Sequence, residues 1–280
     1  MKKGQGIRQK GTRKTQMGTG EFLNSPVPNN SRRVKLTVAY DGTNYCGWQI
    51  QPNGITIEEV LNQKLSKLTG EDIHVIGASR TDSGVHALGN IAVFDTKTTI
   101  PPERIAYALN QQLPEDIVIM ESEEIASDWH PRYQEVIIKT YEYHIYNAAM
   151  PNPMKRLTST FVSFPLNVEK MREGARHLLG EHDFVSFCNI RTNVEDTVRT
   201  VYGIMIDENG PDIVIRITGN GFLYNMVRII AGTLIRVGRG FYKPEQIKEI
   251  LEARERTEAG ITAPPQGLVL TEIKYDDIKF

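Results

Sequence analysis

The order of hydrophobic patterns along this chain is the feature that most restricts how it can fold. From residue 34 to residue 125, apolar residues recur with the two-residue period of a strand or along one face of a helix, in the order β-α-β-β-α-β. After residue 130 the same order returns, with one extra helix before the last strand. Two such units predict the α+β class, in which two ferredoxin-like split βαβ halves form a wide, mostly antiparallel sheet. We expect helices on one face of this sheet and a cleft for a long ligand on the other.

The predicted elements divide the chain into two domains, residues 32–130 and 131–280. In the first domain the patterns predict strands at 34–40, 73–80, 87–96 and 116–125, and helices at 56–68 and 101–113. In the second they predict strands at 139–147 and 267–275, a hairpin at 198–220, and helices at 168–180, 222–238 and 244–254. Thr56 is the expected N-cap of the first helix. Residues 180–184 are expected to end a helix and form a turn.

The positive charge of the chain is concentrated at its N-terminal end. Residues 1–33 hold eight basic side chains and one acidic one, whereas the rest of the chain holds 25 basic and 33 acidic residues. Residues 1–31 have no hydrophobic periodicity, so we expect a disordered basic tail or a segment derived from cloning. Because the remaining chain is acidic overall, its attraction to phosphate must come from a local basic patch.

Composition excludes several classes of protein. The chain is 40% hydrophobic and 24% charged, and it has no apolar run near the ~20 residues that span a membrane. Its two cysteines, Cys46 and Cys188, lie far apart and lack metal-type partners at close spacing. A disulfide framework and a structural zinc site are therefore not expected, and a reducing, cytoplasmic setting is.

The stretch GASRTDSGVHA, residues 77–87, joins two predicted strands and contains a candidate for chemistry, Asp82. Asp before Ser-Gly is common in tight turns for backbone reasons alone, so Asp82 is either a turn-forming residue or a carboxylate that the turn presents. His86 is expected to cap the turn or to pack. Elsewhere, Tyr141 lies on a predicted strand and Arg228 on the helix at 222–238, where each has an ordinary structural interpretation.

Six short stretches distributed over both domains carry a common resemblance. They are GASRTDSGVHA (77–87), AYDGTNYCGWQIQ (39–51), KTYEYHIYN (139–147), GEHDFVSF (180–187), NMVRIIAG (225–232) and GLVLTEIKY (267–275). In the same order they are similar to motifs of the tRNA pseudouridine synthase A family. The resemblance covers about residues 34–275 and leaves out the basic tail.

This resemblance implies an enzyme that converts uridine to pseudouridine in RNA. Family members break the N-glycosidic bond, turn the uracil while it stays bound, and rejoin it through C5. The reaction involves no redox change, and the resemblance implies neither a cofactor nor a metal. The usual substrate is the tRNA anticodon stem-loop at nucleotides 38, 39 and 40, so the cleft would bind RNA.

The family motifs imply roles for four residues. Asp82 matches the family carboxylate, which acts as a nucleophile or as a base. Arg228 matches the basic residue of the active site, which offsets the cost of burying that carboxylate. Tyr141 matches the active-site tyrosine, whose ring can stack on the detached uracil and whose hydroxyl could move a proton. Arg80 is suited to fill the gap left by a flipped uridine and to hold phosphates.

The chain departs from the family pattern at several positions near the expected substrate. Ser79 stands where Gly is usual and Ser83 where Ala is frequent. Lys139 replaces an Arg, and Gln134 and Glu135 replace Ser-Ala. A divergent paralogue that modifies another RNA site is therefore an alternative.

Two other classes of function compete with this prediction. One is a non-catalytic RNA-binding module, which would show paired aromatics on its strands, and the sequence lacks such motifs. The other is a small-molecule enzyme that uses Asp82 and His86 as an acid–base pair. The resemblance further implies a homodimer, with RNA bridging both subunits, and no membrane association.

Overall fold

A computed structural model describes residues 31–189 and 196–275. Within those ranges the chain forms one sheet and five α-helices. The strands are β1 Arg32–Tyr40, β2 Ile76–Gly77, β3 His86–Thr96, β4 Ile117–Ile125, β5 Ile138–Asn147, β6 Thr160–Val162, β7 Gly180–Asp183, β8 Val198–Asn209, β9 Asp212–Gly219 and β10 Leu268–Lys274. The helices are α1 Ile57–Thr69, α2 Pro102–Asn110, α3 Val168–Arg176, α4 Met226–Gly238 and α5 Gln246–Ala253. The expected basic tail lies outside the described residues, except for Ser31.

The sheet continues through both predicted domains. Its strand order is β4-β1-β3-β10-β5-β9-β8-β7, with β2 beside β3 and β6 beside β5. The pairs β3–β10 and β5–β6 are parallel, and the other described pairs are antiparallel. The predicted α+β class with a wide, mostly antiparallel sheet is therefore confirmed. The domain boundaries stay a prediction.

The junction of the two halves is the pairing of β3 with β10. Leu270 lies opposite Ala87 on one side and opposite Tyr141 on the other. With this register, β10 lies between β3 and β5 in the sheet. The segment that leads into β3 is thereby brought close to the start of β5, although the two are far apart in the sequence.

The core is built from the faces that the sequence patterns predict. Val34, Leu36 and Val38 of β1 are fully buried, as the two-residue period requires. Leu61 and Leu65 of α1 are buried in the same core. Burial of each such side chain contributes about 1.5–3 kcal/mol. Hydrophobic packing on one face of the sheet therefore holds the helices against it.

Helix α1 begins where the sequence predicts. The hydroxyl of Thr56 accepts a hydrogen bond from the backbone N–H of Glu59 at 3.3 Å, and Gly70 ends the helix in the left-handed conformation. A cap of this type typically contributes about 1 kcal/mol.

Three local predictions are wrong. The strand expected at 73–80 contains only Ile76–Gly77, because the chain then leaves the sheet and forms a loop. Helix α3 ends at Arg176 and not at residue 180, and residues 180–183 do not turn but form β7, since Gly180 and Asp183 pair with Val201 and Val198 at the edge of the sheet. Helix α4 begins at Met226 and not at residue 222.

Candidate active site

The loop between β2 and β3 carries Asp82, and a second loop from the same half holds it in place. The backbone carbonyl of Thr81 accepts a hydrogen bond from the N–H of Trp48 at 3.1 Å. The carbonyl of Tyr45 accepts from the N–H of Gly84 at 3.3 Å and from the Ser83 hydroxyl at 3.2 Å. The AYDGTNYCGWQIQ stretch therefore supports the turn that carries Asp82. These two motifs contribute to the same site.

Gly47 allows the two loops to approach each other. Its φ is +86°, a conformation that residues with side chains rarely adopt. A Cβ at this position would lie 2.5 Å from the carbonyl oxygen of Thr81. No other residue fits there without displacing the turn that carries Asp82.

Buried polar side chains connect the loop to the sheet below it. The hydroxyl of Tyr40 lies 2.7 Å from the Thr81 hydroxyl. The side-chain amide of Asn90 donates to the Ser79 carbonyl at 3.1 Å and to the Tyr40 hydroxyl at 3.3 Å. Because these groups are buried, losing one partner would leave the others unsatisfied. The network holds the backbone on both sides of Arg80 in a defined position.

The structure brings Asp82 and Arg228 together, although 146 positions separate them in sequence. The guanidinium Nη1 of Arg228 lies 3.3 Å from Oδ2 of Asp82. The side chains are 14% and 21% exposed, respectively, so solvent screens this ion pair only in part. The sequence-based pairing of these two residues is thus a feature of the structure.

Two neighbours fix the orientation of the Arg228 guanidinium. Its Nε donates to the Ala263 carbonyl at 2.7 Å, and Nη1 donates to the Asn225 side chain at 2.7 Å. Asn225 itself has a φ of +61° at the start of α4. Strained backbone of this kind persists where surrounding contacts over-determine it, as they do here. Sequence reasoning missed Asn225, although an Asn three positions before Arg228 at a helix start was a usable signal.

Burial has the largest effect on the pKa of Asp82. The loss of hydration raises the pKa of the Asp82 carboxyl above its ordinary value, and the nearby Arg228 guanidinium lowers it by less. The sequence predicts both effects but not their balance. Asp82 is therefore a carboxylate that the fold partly desolvates, a typical property of groups that perform chemistry.

Tyr141 of β5 lies near Asp82 of the loop. Its ring is held at right angles to the ring of Phe222. The ring centroids are 5.3 Å apart at an interplanar angle of 83°. The Tyr141 hydroxyl forms a hydrogen bond of 2.8 Å with the hydroxyl of Ser79. Burial raises the pKa of Tyr141 to about 12, so its hydroxyl keeps its proton at neutral pH. Ser79 and Phe222 are further residues that sequence reasoning did not identify as part of the site.

Asp82, Tyr141, Ser79 and Phe222 line a cavity of about 560 Å³. Four cationic residues lie along its wall, and Asp82 is the one carboxylate among the described lining residues. The cations are Arg80, Arg132, Lys139 and Arg199. Arg80 is exposed, as a residue that contacts a ligand from solvent must be. This concentration of positive charge is the local patch that the acidic body requires to attract phosphate.

The cavity lies on a different side of the sheet from the one expected. Tyr141 and Tyr143 point to the face that carries the core and the helices, whereas Glu142 points to the opposite face and pairs there with Arg216. Tyr141 also lines the cavity, which therefore opens on this helix-bearing face. The cause is the loop after β2, which folds over that face through its bonds to the buried Tyr40 and Asn90.

His86 lies outside this cavity. Its Nδ1 accepts a hydrogen bond from the N–H of Gly42 at 3.1 Å, and its side chain is buried. The histidine therefore packs and caps a loop, as expected, and does not face Asp82 across the cavity. An acid–base pair of Asp82 and His86 has no geometric support.

The parts of the chain that the structure describes contain neither a cluster of metal-binding side chains nor a membrane-spanning helix. In those parts, groups of three or more His, Cys, Asp or Glu side chains that could hold a metal ion are absent. None of the helices within the same ranges is long and apolar enough to cross a membrane.

Comparison with solved structures gives a weak likeness. The chain aligns with a structure of the archaeal box H/ACA sRNP Nop10–Cbf5 complex at a TM-score of 0.32 and 12% identity. The alignment covers 85% of this chain and 46% of the other. A Cbf5–Nop10–Gar1 complex gives a TM-score of 0.33 at the same identity.

Comparison with curated protein sequences gives much closer relatives. The tRNA pseudouridine synthase A of Thermoanaerobacter sp. (strain X514) is 48% identical over 244 residues, which are 87% of this chain and all of that protein. The protein of the same name from Brevibacillus brevis (strain 47) is 45% identical over 244 residues. The sequence profile described as tRNA pseudouridine synthase matches residues 36–134 and 175–276, and so includes Asp82 and Arg228. This chain belongs to the tRNA pseudouridine synthase family.

Proposed function

We propose that this chain isomerises uridine to pseudouridine in tRNA, at nucleotides 38, 39 and 40 of the anticodon stem-loop. The observation that carries this proposal is the partly desolvated Asp82 carboxylate, paired with Arg228 at 3.3 Å in a cavity with cationic walls. Family membership gives the reaction class. The size of the cavity, about 560 Å³, is in the usual range for a small ligand and accommodates one nucleotide.

Asp82 is the group proposed to act at the bond between sugar and base. As a nucleophile it would bond to the sugar carbon as the N-glycosidic bond breaks, and as a base it would remove a proton from the sugar as the same bond breaks; in either case the uracil leaves with the bonding electrons. Both roles need the ionised carboxylate. Arg228 favours that form, and its own hydrogen bonds to Ala263 and Asn225 keep it in place while the substrate reacts.

Tyr141 is proposed to hold the uracil after the glycosidic bond has broken. Its ring offers an apolar face for stacking, and the edge-on Phe222 prevents the ring from turning. The neutral hydroxyl can donate a hydrogen bond to a uracil oxygen that gains negative charge. These contacts would keep the detached base inside the cavity during its rotation.

Three arginines of the cavity wall, Arg80, Arg132 and Arg199, are proposed to bind the RNA backbone, and Arg80 is proposed also to stabilise the flipped nucleotide. Removing a paired uridine from its stack costs a few kcal/mol, and a long planar side chain that enters the gap recovers part of this. Arg80 follows the buried Ser79 directly and is itself exposed, so its anchor is rigid and its end is free to reach the RNA. The isomerisation transfers no electrons to an external carrier, so we propose that it needs no cofactor.

A homodimer in the cytoplasm is the assembly that we propose. Four exposed apolar residues, Phe161, Phe164, Phe241 and Ile261, line a second cavity beside the C-terminal end of α4. Phe241 is 65% and Ile261 63% exposed. A patch of large apolar side chains of this kind marks an interaction surface, and a second copy of the chain would bury it.

Release of tritium from C5-labelled uridine in a tRNA transcript tests the proposed reaction. The wild-type chain should release tritium, and Asp82→Asn should lose about 10²–10⁴-fold or more of the rate while RNA affinity stays similar. Transcripts that carry the label at nucleotide 38, 39 or 40 alone test the positions. Substantial turnover by Asp82→Asn at an equal folded fraction would contradict the role of Asp82, and release from other uridines only would contradict the positions.

A further inference from the structure

The hydroxyl of Ser79 lies between two side chains of β5. It is 2.8 Å from the Tyr141 hydroxyl and 3.5 Å from the Lys139 ammonium. Lys139 and Tyr141 are two residues apart on one strand, so both side chains point to the same face of the sheet. Lys139 donates in addition to the Ala78 carbonyl at 3.1 Å. Ser79 therefore connects the charge of Lys139 to the hydroxyl of Tyr141.

The direction of these hydrogen bonds depends on the proton of Lys139. A charged ammonium can only donate, so the Ser79 oxygen must accept from it. The hydrogen of Ser79 is then available to Tyr141, whose oxygen accepts it, and the hydrogen of Tyr141 is left to point into the cavity. A neutral amine could instead accept the Ser79 hydrogen. In that case Ser79 accepts from Tyr141, and the Tyr141 hydrogen points away from the cavity.

Because Ser79 and Tyr141 are buried, the direction of the hydrogen bond between them depends on their protein neighbours. Ser79 is 6% and Tyr141 7% exposed, so bulk water does not compete for their hydrogen bonds. The Ser79 backbone is also fixed, since its N–H donates to the Asn90 side chain at 3.3 Å and its carbonyl accepts from the same amide. The hydroxyl groups of Ser79 and Tyr141 can still rotate, and these rotations set the direction of the hydrogen bond between them.

We propose that Lys139 is a positioning residue which, through the Ser79 hydroxyl, directs the hydroxyl hydrogen of Tyr141 toward the substrate. The inference rests on the proposed function, because the Tyr141 hydrogen is then donated to the detached uracil. Lys139 does not touch the uracil in this arrangement. Its charge keeps Tyr141 a hydrogen-bond donor on the cavity side.

The surroundings of Lys139 make its proton removable. Burial, together with repulsion from Arg132 in the segment before β5 and from Arg199 of β8, lowers the pKa of Lys139 to about 8. Arg80 and Asp82 of the loop face the same cavity, and Tyr141 is its neighbour on the strand. Because the pKa of Lys139 is depressed, the charged form is present below about pH 8 and is lost above it.

Single-turnover tritium release from a C5-labelled anticodon stem-loop, at saturating enzyme and from pH 6.5 to 9.5, tests the proposal. The wild-type rate should fall about tenfold for each pH unit above the pKa of Lys139, as the protonated fraction does. Lys139→Arg keeps its charge and should retain the rate at high pH. Ser79→Ala breaks the connection, and it should be slow at every pH and lack the alkaline fall. Lys35→Met, which removes a partly buried lysine that pairs with Glu123 on the other half of the sheet, is the matched control and should follow the wild type.

Three outcomes would overturn the proposal. Lys139→Arg could show the same alkaline fall as the wild type, since titration of the uracil itself is common to both. Ser79→Ala could keep the wild-type rate. The pH effect could lie in the RNA dissociation constant and not in the saturated rate, which would make Lys139 a phosphate contact. If Lys139→Arg fails to fold, Lys139→Met should be slow at all pH values. No release by the wild type at pH 7 would instead contradict the proposed function.

Discussion

At the scale of single residues, the site is governed by the balance between burial and charge at Asp82. Desolvation disfavours the carboxylate, and the Arg228 guanidinium favours it by less, so the pKa of Asp82 is raised. The ionised form of Asp82, which the proposed chemistry needs, therefore lowers the stability of the folded chain. Functional sites often carry such a cost, which the rest of the fold offsets.

The raised pKa of Asp82 gives a sign to the pH dependence of stability. The folded state binds the Asp82 proton more tightly than the unfolded state, so this group's contribution to stability falls as pH rises through the interval between the two pKa values. Asp82→Asn removes that contribution. The unfolding free energy of Asp82→Asn relative to wild type should therefore increase from acidic pH to pH 7, as urea titrations at several pH values would show. A difference that is constant with pH would contradict the raised pKa.

Replacement of Arg228 should change the pH profile of the proposed reaction. Without the guanidinium, the pKa of Asp82 rises further, so the acidic limb of the rate profile should move to higher pH in Arg228→Ala. Arg228→Lys keeps the charge but lacks the planar fork, in which Nε donates to Ala263 while Nη1 donates to Asn225, and it should rescue the rate only in part. Rates measured under single-turnover conditions from pH 5 to 8 would check this. An unmoved acidic limb in Arg228→Ala would exclude this role.

At the scale of elements, the support of one loop by another determines the position of Asp82. The turn after β2 has little regular structure, and hydrogen bonds from residues 45–48 fix its backbone. The two loops approach so closely that a Cβ added at Gly47 would lie 2.5 Å from the backbone oxygen of Thr81. Stability and activity should therefore be linked at this contact.

Gly47→Ala should be more destabilising than the same change at a matched glycine. Gly210, in the β8–β9 turn, also has a positive φ of 59°, but nothing lies within 4 Å of an added Cβ there. Gly210→Ala should cost about 1–2 kcal/mol from backbone strain alone. Gly47→Ala adds the clash with Thr81 and should cost more, and it should reduce turnover as the Asp82 turn shifts. Thermal unfolding and the tritium assay would compare the pair, and equal losses at both positions would contradict the role of the contact.

At the scale of the whole molecule, the site joins parts of the chain that the sequence separates. Asp82 comes from the first half, Arg228 from a helix of the second, and Tyr141 from β5, which only β10 separates from β3. Neither half contains the complete set. Folding of the whole sheet is therefore a condition for assembling the site.

Deletion of residues 1–30 tests whether the basic tail contributes to RNA binding. The cationic wall of the cavity supplies a local attraction for phosphate, so turnover should be nearly unchanged in the shortened chain. Affinity for tRNA should be measured at low and at physiological salt. A large loss at physiological salt that is recovered at low salt would show that the tail binds phosphate.

The sequence by itself determined the class of the fold and most element positions, and it predicted Asp82, Tyr141 and Arg228 as the chemical residues. Local periodicity and capping gave α1 and its Thr56 cap, because these depend on neighbours in the chain. Only the tertiary structure decided which side of the sheet carries the cavity, that residues 180–183 form an edge strand, and that Asn225 orients Arg228. It also decided the balance of the Asp82 pKa and the contact of Ser79 with Lys139. These features depend on burial and on distances between residues far apart in sequence, which no local pattern encodes.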